Sequence, residues 1–154
     1  MNSRQHKTAV GRVVVGVDGS ASADIALAWA VRQAELTGAF LEAVIAWHFP
    51  VAPGYAFAPI PALDDTDCPT IYAGVLKDAL AGTVDPASTL KISTIVQEGN
   101  PAQVLLETAQ GADLLVVGSR GHGGFTGALL GSVSQHCAHH APCPVVIVRD
   151  VSKH

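Results

Sequence analysis

Charged residues are scarce in this chain of 154 residues. Asp, Glu, Lys and Arg together make up 14% of the sequence, whereas hydrophobic residues make up 49%. So apolar a composition excludes a disordered protein and is typical of a sheet that is buried on both faces. The formal net charge of −4 leaves no broad basic surface, so nucleic acid is not an expected partner.

The sequence also lacks the segments that direct a protein into or across a membrane. No apolar run reaches the length of about 18 residues that spans a bilayer, and residues 1–8 carry no apolar signal core. Its three cysteines, an odd number, are interpreted as reduced thiols rather than as a disulfide framework. We therefore expect a cytoplasmic protein without a membrane partner, built as one domain over residues 9–150 behind a flexible tail, residues 1–8.

Several catalytic signatures are missing as well. The sequence contains no GxxxxGK[ST] loop, and without its lysine efficient phosphoryl transfer loses the usual cationic clamp. It contains no GxSxG turn, so hydrolase chemistry is not expected. His136, Cys137, His139 and His140 invite a zinc hypothesis, but no HExxH motif and no second ligand cluster accompany them. We therefore predict no metal site.

Short apolar strands alternate with helical segments along the chain. The patterns predict strands over residues 10–17, 40–47, 90–96, 112–117 and 144–148, and a long proline-rich loop over 48–69. This alternation predicts a doubly wound, five-stranded parallel sheet with the strand order 3-2-1-4-5. Because the chain direction reverses between strands 1 and 4, we expect a ligand-binding crevice at the carboxyl ends of these strands.

A glycine-rich segment follows directly on the fourth predicted strand. Gly118 and Gly121 would let the backbone turn sharply and approach a ligand, and successive amides of such a loop can form an anion-binding nest. Gly131 and Ser132 are predicted to open the last helix, whose free N–H groups and dipole favour phosphate. Ser132 and Ser134 add hydroxyl donors.

Three charged or titratable residues lie beside the predicted crevice. Asp18 follows strand 1, where it either caps the next helix or holds a ribose hydroxyl or a phosphate-bound metal, and its position favours ligand contact. Arg120 is either a phosphate partner, which a guanidinium suits, or a solvated side chain. His122 faces either phosphate or water.

The glycine spacing, Gly118-x2-Gly121-x9-Gly131-Ser132, resembles the ATP-binding signature of the universal stress protein family. The similarity extends over the whole domain, and the other matching segments are residues 14–20, 26–30, 99–101, 113–118, 130–134 and 140–145. An ordered set of this kind is far more specific than a single glycine loop.

The resemblance implies a flavodoxin-like fold of the adenine nucleotide alpha hydrolase type, usually dimeric, with ATP as the cofactor, which Mg²⁺ could accompany. It assigns Gly16, Val17 and Asp18 to the adenine and ribose, and Ala46 to the base. It assigns the ribose and phosphates to Gly118, Ser119, Arg120, Gly121, His122, Gly123 and Gly124. It assigns the terminal phosphates to Ser132 and Val133, in the helix that opens at Gly131.

Two classes of function remain open. The first is a nucleotide-dependent regulator or sensor in the stress response, in which ATP orders the 119–131 loop and changes the protein surface. The second is an enzyme, a slow ATPase or an autophosphorylating protein with Ser132 or Ser134 as the acceptor. A third class, a flavin-binding protein, is disfavoured because aromatic residues make up only 5% of the chain.

The last strand is predicted at an edge of the sheet. Residues 145–148 are all apolar, and an exposed apolar edge invites pairing with another chain. Either the C-terminal tail covers this edge, or two copies of the chain pair through it. The resemblance implies the second arrangement, so we predict a homodimer through strand 5.

Overall fold

The computed structural model describes residues 10–48, 67–121 and 130–151. Helices and strands alternate along these residues in the following order: β1 (Arg12–Gly16), α1 (Ala21–Thr37), β2 (Phe40–Trp47), α2 (Asp67–Thr83), β3 (Ile92–Glu98), α3 (Pro101–Thr108), β4 (Leu114–Gly118), α4 (Ser132–His140) and β5 (Val145–Val148). Among the described residues, no helix is both long enough and apolar enough to span a bilayer.

The strands form one parallel sheet in the order β3-β2-β1-β4-β5, as predicted. β2 spans the predicted residues, Phe40–Trp47, whereas the ends of the other strands differ from the predicted ones by at most two residues. Val10 extends the apolar run in sequence, but it lies before the first paired residue, Arg12, and is 66% exposed. β3 begins at Ile92 rather than at residue 90 because Ile92 is the first residue that pairs with β2. Apolar runs alone therefore locate the strands but not their limits.

Capping residues mark the ends of two helices. Ser20 is the N-cap of α1, and its side chain accepts a hydrogen bond from the Ala23 amide at 3.2 Å. Gly38 ends the same helix in the left-handed region, with a φ of 71°, which favours glycine. Asn100 caps α3, and Pro101 occupies its first turn.

The sheet separates two apolar cores. Val13 and Val15 of β1 point to the core beneath α1 and α2, together with Val116 of β4. Val14 points to the opposite core beneath α3 and α4, together with Leu115 of β4. Because the central strands are covered on both faces, their carboxyl ends are the parts left open for a ligand.

Gly118, at the end of β4, lies against the first turn of α1. A methyl group on Gly118 would come within 2.6 Å of Ser22 Oγ and within 2.8 Å of the Ser22 carbonyl carbon and oxygen. Gly118 does not have a positive φ. Lack of space beside α1, rather than an unusual backbone angle, therefore requires glycine here.

We expect Gly118→Ala to lower the free energy of unfolding by about 1–3 kcal/mol, because the new methyl group must push the backbone of α1 away from β4. Gly74→Ala is the matched control, since its methyl group would meet nothing within 4 Å and lies inside α2. This control should raise the stability by about 0.5–1 kcal/mol, the usual gain in helix propensity. Urea denaturation measures both changes, and equal stabilities for Gly118→Ala and the wild type would contradict the prediction.

Candidate functional site

A cleft of about 640 Å³ opens at the carboxyl ends of β1 and β4, where the direction of the strand order reverses. Its walls come from the ends of β1, β2 and β4, from α2 and α3, and from the first turn of α4. A site at this position is typical of open parallel sheets. The predicted crevice is therefore present.

Most of the predicted site residues line this cleft. They are Gly16, Val17, Asp18, Ala46, Gly118, Arg120, Gly121, Gly131, Ser132, Val133 and Ser134. Ser119 does not line the cleft. Its side chain is buried, and its backbone makes hydrogen bonds to β5 and to the residue that caps α4. His122, Gly123 and Gly124 lie outside the described residues.

Other lining residues were not among the predicted site residues, although Pro101, Val117 and Leu130 lie in segments that match the family. These other residues are Ala23, Val44, Trp47, His48, Tyr72, Pro101, Leu105, Val117, Leu130 and Gln135. Trp47 and Tyr72 form a stacked aromatic pair among them, with ring centres 6.4 Å apart and ring planes inclined by 24°. The two aromatic residues come from different elements, so only the tertiary structure brings them together.

Asp18 holds the turn that follows β1. Its Oδ1 accepts a hydrogen bond from the Ser20 amide at 2.8 Å, so the acid shapes the entry to α1 and lines the cleft at the same time. The other carboxylate oxygen would lie 2.9 Å from a methyl group on Gly121. The loop after β4 therefore crosses directly over the turn after β1, and this close crossing explains the glycine at position 121.

The described ends of the loop after β4, residues 119–121 and 130–131, make backbone hydrogen bonds within the protein. The Ser119 amide donates to the Val148 carbonyl at 3.0 Å, and the Arg120 amide donates to Ser22 Oγ at 3.2 Å. The Gly131 amide donates to the Ser119 carbonyl at 2.7 Å. These three amides therefore take no part in the anion-binding nest that the glycine pattern predicted, and they serve instead to fix the loop.

The first turn of α4 presents the remaining polar wall. Gly131 is the N-cap and makes no side-chain hydrogen bond to the helix. The N–H groups that open a helix have no partner within it, so those of Ser132, Val133 and Ser134 carry the positive end of the helix dipole. The helix start thus favours an anion in the cleft.

The two serines of this turn differ in accessibility. Ser134 is 2% exposed, and its hydroxyl lies within hydrogen-bonding distance of the Gly131 and Ser119 carbonyl oxygens, at 2.9 and 3.2 Å. Its hydroxyl therefore closes the turn rather than facing a ligand. The Ser132 side chain is exposed, which makes it the accessible hydroxyl of the pair.

The electrostatic character of the cleft changes from one end to the other. Val17, Ala46 and Leu105 supply apolar surface at the ends of β1 and β2 and on α3, which a flat, weakly polar base can cover. Asp18 and Arg120, both exposed, are the carboxylate and the guanidinium among the described lining residues. An apolar wall beside a charged end is the arrangement that a nucleotide requires.

The cysteines of this region are packing residues. Cys137 of α4 is fully buried, and desolvation, with a smaller effect of the neighbouring Cys143, raises the pKa of its thiol to about 11. Burial likewise raises the pKa of Cys143. Neutral thiols are poor nucleophiles and poor metal ligands. Within the described part of the chain, no group of three or more His, Cys, Asp or Glu side chains is arranged to hold a metal.

Comparison with known proteins supports the motif analysis. The model of the universal stress protein family matches residues 9–149. A universal stress protein of Mycolicibacterium smegmatis (strain ATCC 700084 / mc(2)155) is 37% identical over 139 residues, which are 89% of this chain and 45% of that protein. This chain thus spans less than half the length of that relative.

Solved structures show the same fold. The universal stress protein UspA from Lactobacillus plantarum matches with a TM-score of 0.70 and 26% identity, covering 90% of this chain and 97% of that one. A universal stress protein solved in complex with cAMP matches with a TM-score of 0.65 and 33% identity, covering 91% of this chain and 97% of that one. With the strand order, the cleft and the family match in agreement, this chain belongs to the universal stress protein family.

Proposed function

We propose that the cleft binds an adenine nucleotide, with ATP as the ligand, and that the protein acts as a nucleotide-dependent regulator or sensor in the stress response of the cytoplasm. The observation that carries this proposal is that the apolar ends of β1 and β2 and the N-terminus of α4 meet in one cleft. The relative in complex with cAMP supports an adenine nucleotide as the ligand class.

The base and the ribose are assigned to the apolar end. Val17 and Ala46 border this end, and the Val17 amide donates to the Val44 carbonyl at 2.8 Å, which holds the ends of β1 and β2 side by side. An adenine ring can lie against this surface. Asp18, at the end of β1, is in position to accept a hydrogen bond from a ribose hydroxyl.

The phosphates are assigned to the polar end. The opening N–H groups of α4 and the Arg120 guanidinium supply positive charge there, while the Ser132 hydroxyl adds a donor. Mg²⁺ would neutralise further charge on a triphosphate, with the Asp18 carboxylate nearby as an oxygen ligand. Because the hydrogen bond between Ser119 and Gly131 holds the start of α4 next to the end of β4, part of the binding surface is already formed.

Regulation follows from the position of the ligand between two parts of the chain. A nucleotide that contacts both the turn after β1 and the first turn of α4 favours conformations in which these parts are close. A nucleotide that binds these conformations more tightly than others increases their population, and so changes the protein surface that a partner meets.

We expect Gly121→Leu and Gly131→Leu each to weaken ATP binding by about tenfold or more. The side chain at position 121 would displace the loop from Asp18, and the side chain at position 131 starts only 3.4 Å from Arg120 Cα and 3.5 Å from the Gly121 amide nitrogen. Isothermal titration measures the affinity, and circular dichroism verifies the fold. Gly82→Leu is the control, since a methyl group at that position would meet nothing within 4 Å; affinities unchanged in both test variants would refute the proposal.

An enzymatic role is the second candidate, and the exposed Ser132 hydroxyl is the observation that favours it. We expect no steady phosphate release from ATP and Mg²⁺ above the protein-free rate, because the described cleft offers no lysine clamp. Phosphate release that disappears in Asp18→Asn would instead support the enzyme. Transfer of labelled phosphate that is lost in Ser132→Ala but kept in Ser134→Ala would identify an autophosphorylating protein.

We further propose that two copies pair through β5. This strand pairs with β4 on one side, and no strand covers its other side within the described residues. The carbonyls of Pro144 and Val148 accept hydrogen bonds from the amides of Leu115 in β4 and of Ser119 just after it. Since successive residues of a strand direct their backbone groups to opposite sides, the N–H group of Ile147 points away from β4.

We therefore expect Ile147→Pro to convert a dimer to a monomer, because proline removes an outward N–H group and keeps the hydrogen bonds to β4. Light scattering at high protein concentration measures the mass, with circular dichroism as the control for folding. A wild-type chain that is monomeric at that concentration would overturn the dimer proposal and leave the nucleotide proposal untouched.

A further inference from the structure

The last two turns of α4 expose three histidines. His136 and His140 are four residues apart and therefore lie on one face of the helix, with ring centres 4.6 Å apart and ring planes inclined by 46°. His139 is exposed too, but its ring centre lies 6.3 Å from that of His140. None of the three lines the cleft.

The separation of His136 and His140 suits one shared metal ion. With a metal–nitrogen bond of about 2.0–2.1 Å, the metal lies roughly 3.2 Å from the centre of each ligating imidazole. Two rings at a right angle around such a metal have centres about 4.5 Å apart, whereas a tetrahedral angle separates them by about 5.2 Å. The observed 4.6 Å corresponds to the right angle.

A right angle between neighbouring ligands is the preference of particular metals. Square-planar or tetragonal coordination by nitrogen and oxygen is typical of Cu²⁺ and Ni²⁺, whereas Zn²⁺ prefers a tetrahedral site. Imidazole is a suitable ligand for both Cu²⁺ and Ni²⁺. If the two rings keep this separation on binding, Cu²⁺ and Ni²⁺ are the metals that match it.

The surroundings limit the site to two protein ligands. Cys137 lies on the same helix, but its thiol is fully buried among apolar residues of the core beneath α3 and α4. No third His, Cys, Asp or Glu completes a cluster within the described residues. Water would fill the other positions, so the metal would exchange with solvent.

We propose that His136 and His140 form a two-histidine chelate for a divalent transition-metal ion of tetragonal preference, Cu²⁺ or Ni²⁺. The site is independent of the nucleotide cleft, since its residues lie in the C-terminal half of α4 and the cleft residues of this helix lie in its first turn. It differs from the zinc hypothesis raised by the sequence, because Cys137 is buried and is not a ligand, and because the proposed metal is one of tetragonal preference.

The experiment uses the full chain without an affinity tag, with His6 and His154 replaced by Gln so that histidines near the chain ends do not compete. Ni²⁺ and Cu²⁺ are titrated calorimetrically, and the Cu²⁺ complex is examined by electron paramagnetic resonance for coupling to nitrogen. We expect His136→Gln and His140→Gln each to weaken binding by about tenfold or more, since either change leaves a single attachment point.

His139→Gln is the matched control, because it removes an exposed imidazole of the same helix that is not paired at the chelating distance. The affinity of this variant for Ni²⁺ and Cu²⁺ should stay within about twofold of that of the protein with all three helix histidines, since removing a surface side chain outside the chelate leaves the chelate intact. Circular dichroism confirms that all variants fold. The proposal would be overturned if the three variants bound Ni²⁺ and Cu²⁺ with equal affinity, or if His139→Gln lost as much affinity as the other two. Tighter binding of Zn²⁺ than of Cu²⁺ would also overturn it.

Discussion

The close contact between the end of β4 and the first turn of α1 determines the shape of the candidate site. Gly118 has no side chain, so the backbone of Ser22 can lie where a methyl group would otherwise be. The Ser22 hydroxyl then accepts a hydrogen bond from the Arg120 amide, which ties the loop after β4 to the helix after β1. This contact adds to the direct pairing of β1 with β4, which already holds the two sides of the crevice next to each other. The position of Gly121 over Asp18 and the start of α4 both follow from it.

Much of the fold could be predicted from local patterns because local physics determines it. Ser20, Gly38 and Asn100 act at helix ends through their own side chains or backbone angles, so each is recognisable in the sequence. The strand order follows from the alternation of strands and helices and from the handedness of their connections. Strand limits depend on pairing with a neighbouring strand. For this reason Val10 is predicted as part of a strand from the sequence but lies outside the sheet in the structure.

The candidate site was predictable only in part, because some of its residues are brought together only by the tertiary structure. Loops that follow β1 and β4 must meet at the point where the strand order reverses, so Asp18 and Gly121 could be placed together. Tyr72 could not be placed, because it reaches the cleft from α2 and no motif marks it. The glycines of the motif line the cleft, yet the structure gives reasons for them other than a ligand's need for space. Gly118 makes room for α1, and the amides of Ser119 and Arg120 are bonded within the protein.

Ser119 joins the outer strand of the sheet to the wall of the cleft. Its N–H group is bonded to Val148 of β5, and its carbonyl oxygen receives the Gly131 amide at the start of α4. A displacement of either element must therefore stretch a hydrogen bond made by the same buried residue. The margin of the sheet and the wall of the cleft are thus joined through the backbone of a single residue.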